Sequence, residues 1–84
     1  MARAKTLLGS GDVSGARAIF ETLALQGSAA GAMAMGETYD PVVLRTMVVK
    51  GLEPDPEKAR KWYLKAEALG GPDARSRLNE LARR

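Results

Sequence analysis

The sequence predicts an all-α domain of stacked antiparallel helical hairpins, about five helices in all, and three observations carry that prediction. Apolar residues recur at spacings of three and four along most of the chain. Gly, Pro and Asp interrupt that pattern at the places where helices start and stop. The chain also aligns with itself at a shift of forty-three residues, a period that points to repeated helical pairs. With 84 residues there is room for a single core, and a chain of this size buries only about 60% of its unfolded surface.

The first well-marked helix lies between Asp12 and Gln26, with Val13, Ala16, Ile19, Phe20 and Leu23 on one face. Asp12 is placed to cap its start and Gly27 to end it. Residues 2–8 form a shorter helical stub before it. The next helix, Ser28 to Tyr39, is rich in Ala, Gly and Met. Gly31 and Gly36 each cost about 1 kcal/mol against Ala in a helix, so this segment forms only when packed. The strongest helix runs from Asp55 to Leu69: Asp55 caps, Pro56 takes the first turn, Glu57 suits the positive end of the dipole, and Ala59, Trp62, Tyr63, Ala66 and Leu69 form the inward stripe. A last helix opens at Pro72 and turns Ala74, Leu78 and Leu81 inward.

Residues 40–54 make an insert too long for a structureless loop. Asp40-Pro41 is a cap and first-turn pair, which predicts a short helix from Pro41 to Met47, with Gly51 and Pro54 as later breakers. Val42, Val43, Leu44, Met47, Val48, Val49 and Leu52 make the insert apolar. Val48-Val49 has no second strand to pair with, so no sheet is expected.

At the forty-three-residue shift, Asp12 meets Asp55, Ala16 meets Ala59, Arg17 meets Arg60, Gly27 meets Gly70 and Glu37 meets Glu80. Ile19 and Phe20 fall on Trp62 and Tyr63, and Met35 falls on Leu78. The second copy carries recognisable residues. Met35-Gly36-Glu37-Thr38-Tyr39 resembles the L-G-x-x-Y signature of a first tetratricopeptide helix, and Lys58-Ala59-Arg60-Lys61-Trp62-Tyr63-Leu64-Lys65-Ala66 resembles the second helix of the Sel-one-like repeat family. The likeness covers the chain from Asp12 onward. It departs where Met35 replaces Leu, where Ile19-Phe20 stands for Trp-Tyr, and where the insert lengthens the connection. It implies that the chain is the C-terminal piece of a longer array, with the last helix as a cap. An array cut in this way exposes an apolar edge, through which the piece would self-associate.

Composition removes several kinds of chemistry. There is no Cys and no His, which excludes disulfides, thiol redox chemistry, the usual zinc ligands and histidine-based nucleophile systems. The glycines between Gly9 and Gly15 have neither the spacing nor the preceding strand of a phosphate loop, and read as a turn between helices. Glu37 and Asp40, three apart at a helix end, read as surface and cap rather than as an acid/base pair. No enzyme activity, cofactor or metal is expected.

No run approaches the roughly 20 apolar residues of a membrane span, and no targeting segment marks a compartment. Lys and Arg number 13 against 10 Asp and Glu, with the excess in the second half. Those charges alternate in sign, which suits a solvated helix face.

Function is therefore expected to be binding. In the family resembled here, first-type helices line a concave side where partner segments dock. That register places Met33, Glu37, Asp40, Ser76 and Glu80 in the groove, together with Lys5, Leu8, Ala30, Asp73 and Arg83. The partner expected is a protein or peptide segment carrying some positive charge. A rival reading uses Arg60, Lys61, Lys65, Arg75 and Arg77 to hold an anionic partner such as nucleic acid or lipid head groups. Trp62 and Tyr63 lie on the stripe of Ala59 and Ala66, so their rings are expected in the core and not on a base-stacking surface; nucleic acid is not the expected partner.

Overall fold

Two glycines forty-three residues apart set the pattern of the fold. A computed structural model describes residues 13–44 and 53–83. Among these it contains five helices and no strand: α1 (Val13–Leu25), α2 (Ala29–Glu37), α3 (Pro41–Leu44), α4 (Pro56–Ala68) and α5 (Ala74–Ala82). The stub over residues 2–8, the Asp12 cap, residues 9–12 of the glycine-rich turn and the insert positions Met47, Val48, Val49, Gly51 and Leu52 lie outside the described residues; Val13, Ser14 and Gly15, expected in that turn, already belong to α1.

Helices α1 and α4 are each 13 residues long and coincide at the forty-three-residue shift. Both end on a left-handed glycine, Gly27 at φ 92° and Gly70 at φ 89°, a conformation that a Cβ would strain. Both ends close by the same pair of hydrogen bonds. Gly27 donates to the Ala24 carbonyl at 3.0 Å and Ser28 to the Leu23 carbonyl at 2.9 Å. Gly70 donates to Glu67 at 3.0 Å and Gly71 to Ala66 at 2.8 Å. Each turn sends the chain directly into the next helix.

Starts follow the sequence as closely. Ser28 Oγ caps α2 by accepting from Gly31 N–H at 3.0 Å, and Asp55 Oδ1 caps α4 by accepting from Lys58 N–H at 3.2 Å, with Pro56 as first residue. Asp40 Oδ1 accepts from Val42 N–H at 2.8 Å and starts α3. The described part of that helix ends at Leu44, short of the expected Met47. Helix α5 begins two residues after Pro72, and Asp73 precedes it without a side-chain cap bond.

The helices pack in chain order, α1 on α2, α2 on α4 and α4 on α5. Phe20 fills the α1–α2 layer with Ala16, Ala34 and Met35; Tyr63 fills the α4–α5 side with Ala59 and Leu78; a tier of Ala24, Ala32, Ala66 and Ala74 joins the two. Small residues permit that closeness. A Cβ on Gly31 would lie 2.9 Å from both the Ala24 nitrogen and the Phe20 carbonyl oxygen of α1, and one on Gly36 would lie 2.5 Å from Tyr63 Cδ1.

The inward stripes are nearly as expected, with corrections. Ala24 is buried although the expected face of α1 omitted it, and Leu23 is half-buried. Trp62 is half-buried and packs against two of the core clusters. Leu69, expected inward, is 37% exposed, because it lies in the cap turn after α4 and no longer on the helical face. Asp55 N–H donates to the Tyr39 carbonyl at 2.8 Å, so the insert leaves and rejoins the fold at one place.

Candidate functional site

Between α2 and α5 lies an open groove of about 650 Å³. Positions forty-three residues apart line it together: Ala30 and Asp73, Met33 and Ser76, Ala34 and Arg77, Glu37 and Glu80. This equivalence follows from the common turn geometry, which delivers α2 and α5 to the same side of their preceding helices. Of the ten residues expected in the groove, Ala30, Met33, Glu37, Asp73, Ser76 and Glu80 line it together, Lys5 and Leu8 lie outside the described residues, and Arg83, just past the end of α5, is not among its lining. Three carboxylates, Glu37, Asp73 and Glu80, stand there against the single guanidinium of Arg77.

Arg77 donates to Glu37 Oε2 at 2.9 Å, with both side chains about one-third exposed. Among the described residues this is the sole ion pair joining α2 to α5. Asp73 and Glu80 make no ion pair among those residues. The floor between these charges is apolar, from Ala29, Ala30, Met33 and Ala34.

Asp40, also expected there, does not line the groove. It is fully buried. Its Oδ2 accepts from the Tyr63 hydroxyl at 2.7 Å while Oδ1 caps α3. A buried carboxylate requires donors, and the Tyr63 hydroxyl at the end of the α4 ring supplies one. Sequence reasoning correctly gave Asp40 its cap, but the groove register continued the periodicity of α2 beyond Glu37, where that helix ends. The burial of Tyr63 raises the pKa of its hydroxyl far above the ordinary value, and the hydrogen bond to Asp40 and the negative charges of Asp40 and Glu37 add to the rise.

The rival cationic set is dispersed and partly neutralised. Arg60 pairs with Glu57 at 3.4 Å, Arg75 pairs with Glu67 through two hydrogen bonds of 2.8 and 2.6 Å, and Arg77 is held by Glu37. Lys61 and Lys65 are exposed on α4 and make no ion pair among the described residues.

Sequence reasoning missed Arg17. Its Nε donates to Thr38 Oγ1 at 3.1 Å and its Nη2 to the Thr38 carbonyl at 2.8 Å, while its guanidinium lies 3.9 Å from the centroid of the Tyr39 ring. Lys58 Nζ lies 5.3 Å from the same centroid. A cation against the C-terminal carbonyls of α2 complements the helix dipole, so Arg17 locks α1 to the end of α2. The alignment of Arg17 with Arg60 gave no hint of this role, because Arg60 turns to Glu57.

Among the described residues no group of three or more carboxylates is placed to hold a metal ion, and no helix is long and apolar enough to cross a membrane. No family model matches the chain, and neither a curated protein nor a solved structure is significantly similar to it.

Proposed function

We propose that the chain is a non-catalytic protein-interaction module of the helical-repeat kind, related in plan to Sel-one-like repeats, and that the α2–α5 groove receives a segment of another protein carrying positive charge. The observation that carries this reading is the groove itself, where an apolar floor is bordered by an excess of carboxylates. Pairing of equivalent positions across the groove supports the repeat plan, as do the matched lengths and matched glycine turns of α1 and α4. The rival anion-binding reading has weaker support, since three of its five cations already face carboxylates.

Titration of the isotopically labelled chain with a short alanine-rich peptide bearing one Leu and one Arg tests the reading. Backbone resonances of Met33 and Ser76 are expected to shift, and the charge-neutralising pair Glu37→Gln with Glu80→Gln is expected to weaken binding by about two- to fivefold, the scale of exposed ion pairs. Shifts confined to α4 around Lys61 and Lys65, or an affinity indifferent to the two Gln substitutions, would count against it.

A further inference from the structure

We infer that Arg77 is an internal competitor for the groove: in the free protein it occupies the carboxylate that a partner's cationic side chain would otherwise engage. This inference rests on the proposed use of the groove and adds to it the identity of the residue that sets its affinity. Glu37 lies on the groove wall beside Met33, one helical turn away, so it is the acidic group nearest in sequence to the apolar floor. Its side chain is already engaged, at 2.9 Å, by a guanidinium from the opposite wall.

The contact has the properties of a replaceable one. Both partners remain about one-third exposed, so an incoming guanidinium or ammonium can reach Glu37 without opening the core. An ion pair at this exposure contributes little to stability, because solvent screens it. Asp73 and Glu80, without ion pairs among the described residues, lie in the same groove and supply the local negative charge that draws a cation there. A partner cation would replace Arg77 on Glu37, and the displaced guanidinium would move toward solvent or toward Glu80, its neighbour at the spacing of one turn on α5. The intramolecular pair thus lowers affinity for every cationic segment and favours those that bring a second favourable contact, the apolar side chain against Met33.

Removal of Arg77 therefore predicts a gain in binding, opposite in sign to the loss expected for Glu37→Gln. The test measures the affinity of wild type, Arg77→Gln, Glu37→Gln and the double variant for the Leu/Arg alanine-rich peptide, with a Leu/Glu peptide as the comparison. Arg77→Gln is expected to bind the Leu/Arg peptide about two- to fivefold more tightly, and that gain is expected to shrink in the Glu37→Gln background, where there is no charge left to release. A wild type that binds while Arg77→Gln binds equally or more weakly overturns the inference and leaves the groove reading standing. Tighter binding of the Leu/Glu peptide to wild type, lost in Arg77→Gln, also overturns it, since Arg77 would then be the contact residue. If neither wild type nor Arg77→Gln shows shifts at Met33 and Ser76, groove and competitor fall together. Thermal melts of each variant identify any that fail to fold, and Arg77→Met supplies a second neutral replacement of similar length.

Discussion

Substitution of Gly36 by Ala isolates the contact on which the α2–α4 layer depends. The added Cβ would lie 2.5 Å from Tyr63 Cδ1, against an ordinary van der Waals separation of 3.4–4 Å. Relief requires the ring or one helix to move by most of an ångström. The ring has little freedom to do so, since it is fully buried and its hydroxyl is tied to Asp40 at 2.7 Å. Overpacking of this kind costs about 1–3 kcal/mol. Replacing Gly by Ala inside a helix returns about 1 kcal/mol through propensity. The packing term is the larger, so a net loss of up to about 2 kcal/mol is expected. On a scale of about 0.05–0.15 kcal/mol per residue this is a substantial part of the stability of so small a domain. Each kcal/mol corresponds to a fall of about 4–8 °C in melting temperature. Urea denaturation followed by circular dichroism reads the free energy directly, and Gly27→Ala provides the contrast: no atom lies within 4 Å of its Cβ, so its loss comes from the positive φ alone. A Gly36→Ala variant as stable as wild type, or more stable, would refute the claim that the glycine is there for the ring.

The buried pair predicts two further outcomes. Tyr63→Phe removes the donor to Asp40 Oδ2 and leaves that oxygen buried without it, so a loss of about 1–3 kcal/mol is expected in the same denaturation assay, larger than the removal of a solvent-exposed hydroxyl would give. Alkaline stability follows from the raised pKa of Tyr63: the unfolded chain loses that proton near pH 10 while the folded chain retains it, so the folded state binds more protons and stability falls as pH rises above 10. One such group contributes a slope of about 1.4 kcal/mol per pH unit above pH 10, its stabilisation being complete below that pH, and the slope is absent in Tyr63→Phe; equal alkaline slopes in the two proteins would exclude Tyr63 as the source.

Helix ends were the most legible part of this fold, because each depends on one residue with one physical reason. Asp55 with Pro56 reads as a cap and Gly27 as a stop, and each stands at that place in the structure, while the cap at Ser28 and the turn at Gly70 emerge only there. The buried faces were legible where large residues marked them, as at Phe20 and Tyr63, and less so where alanine did. Ala24 is as buried as Phe20 yet too small to announce a face. Leu69 misled because periodicity says nothing of where a helix stops: one residue past Ala68 the chain turns, and an apolar side chain in register with the core faces water. For the same reason Asp40 was assigned to the groove. Arg17 was illegible, since its partners are a carbonyl, a hydroxyl and a ring in the turn just after α2, none of which leaves a mark in the spacing of charges.

The groove is symmetric in position and asymmetric in chemistry. At the equivalent positions α2 contributes Ala30, Met33 and Ala34 where α5 contributes Asp73, Ser76 and Arg77, and only Glu37 and Glu80 agree in type. A repeat that used both walls alike would bind a segment apolar on both sides, and burying it would be driven by area alone. Here one wall can exclude water and the other cannot. An amphipathic segment satisfies both walls in one orientation, its apolar side against Met33 and its cation toward the acidic border; turned over, it would set a charge against alanine and an apolar side chain against Asp73 and Arg77, leaving ions desolvated without partners. In the proposed reading the two copies have kept the backbone that forms the groove, while their divergent side chains fix the direction in which a partner faces it.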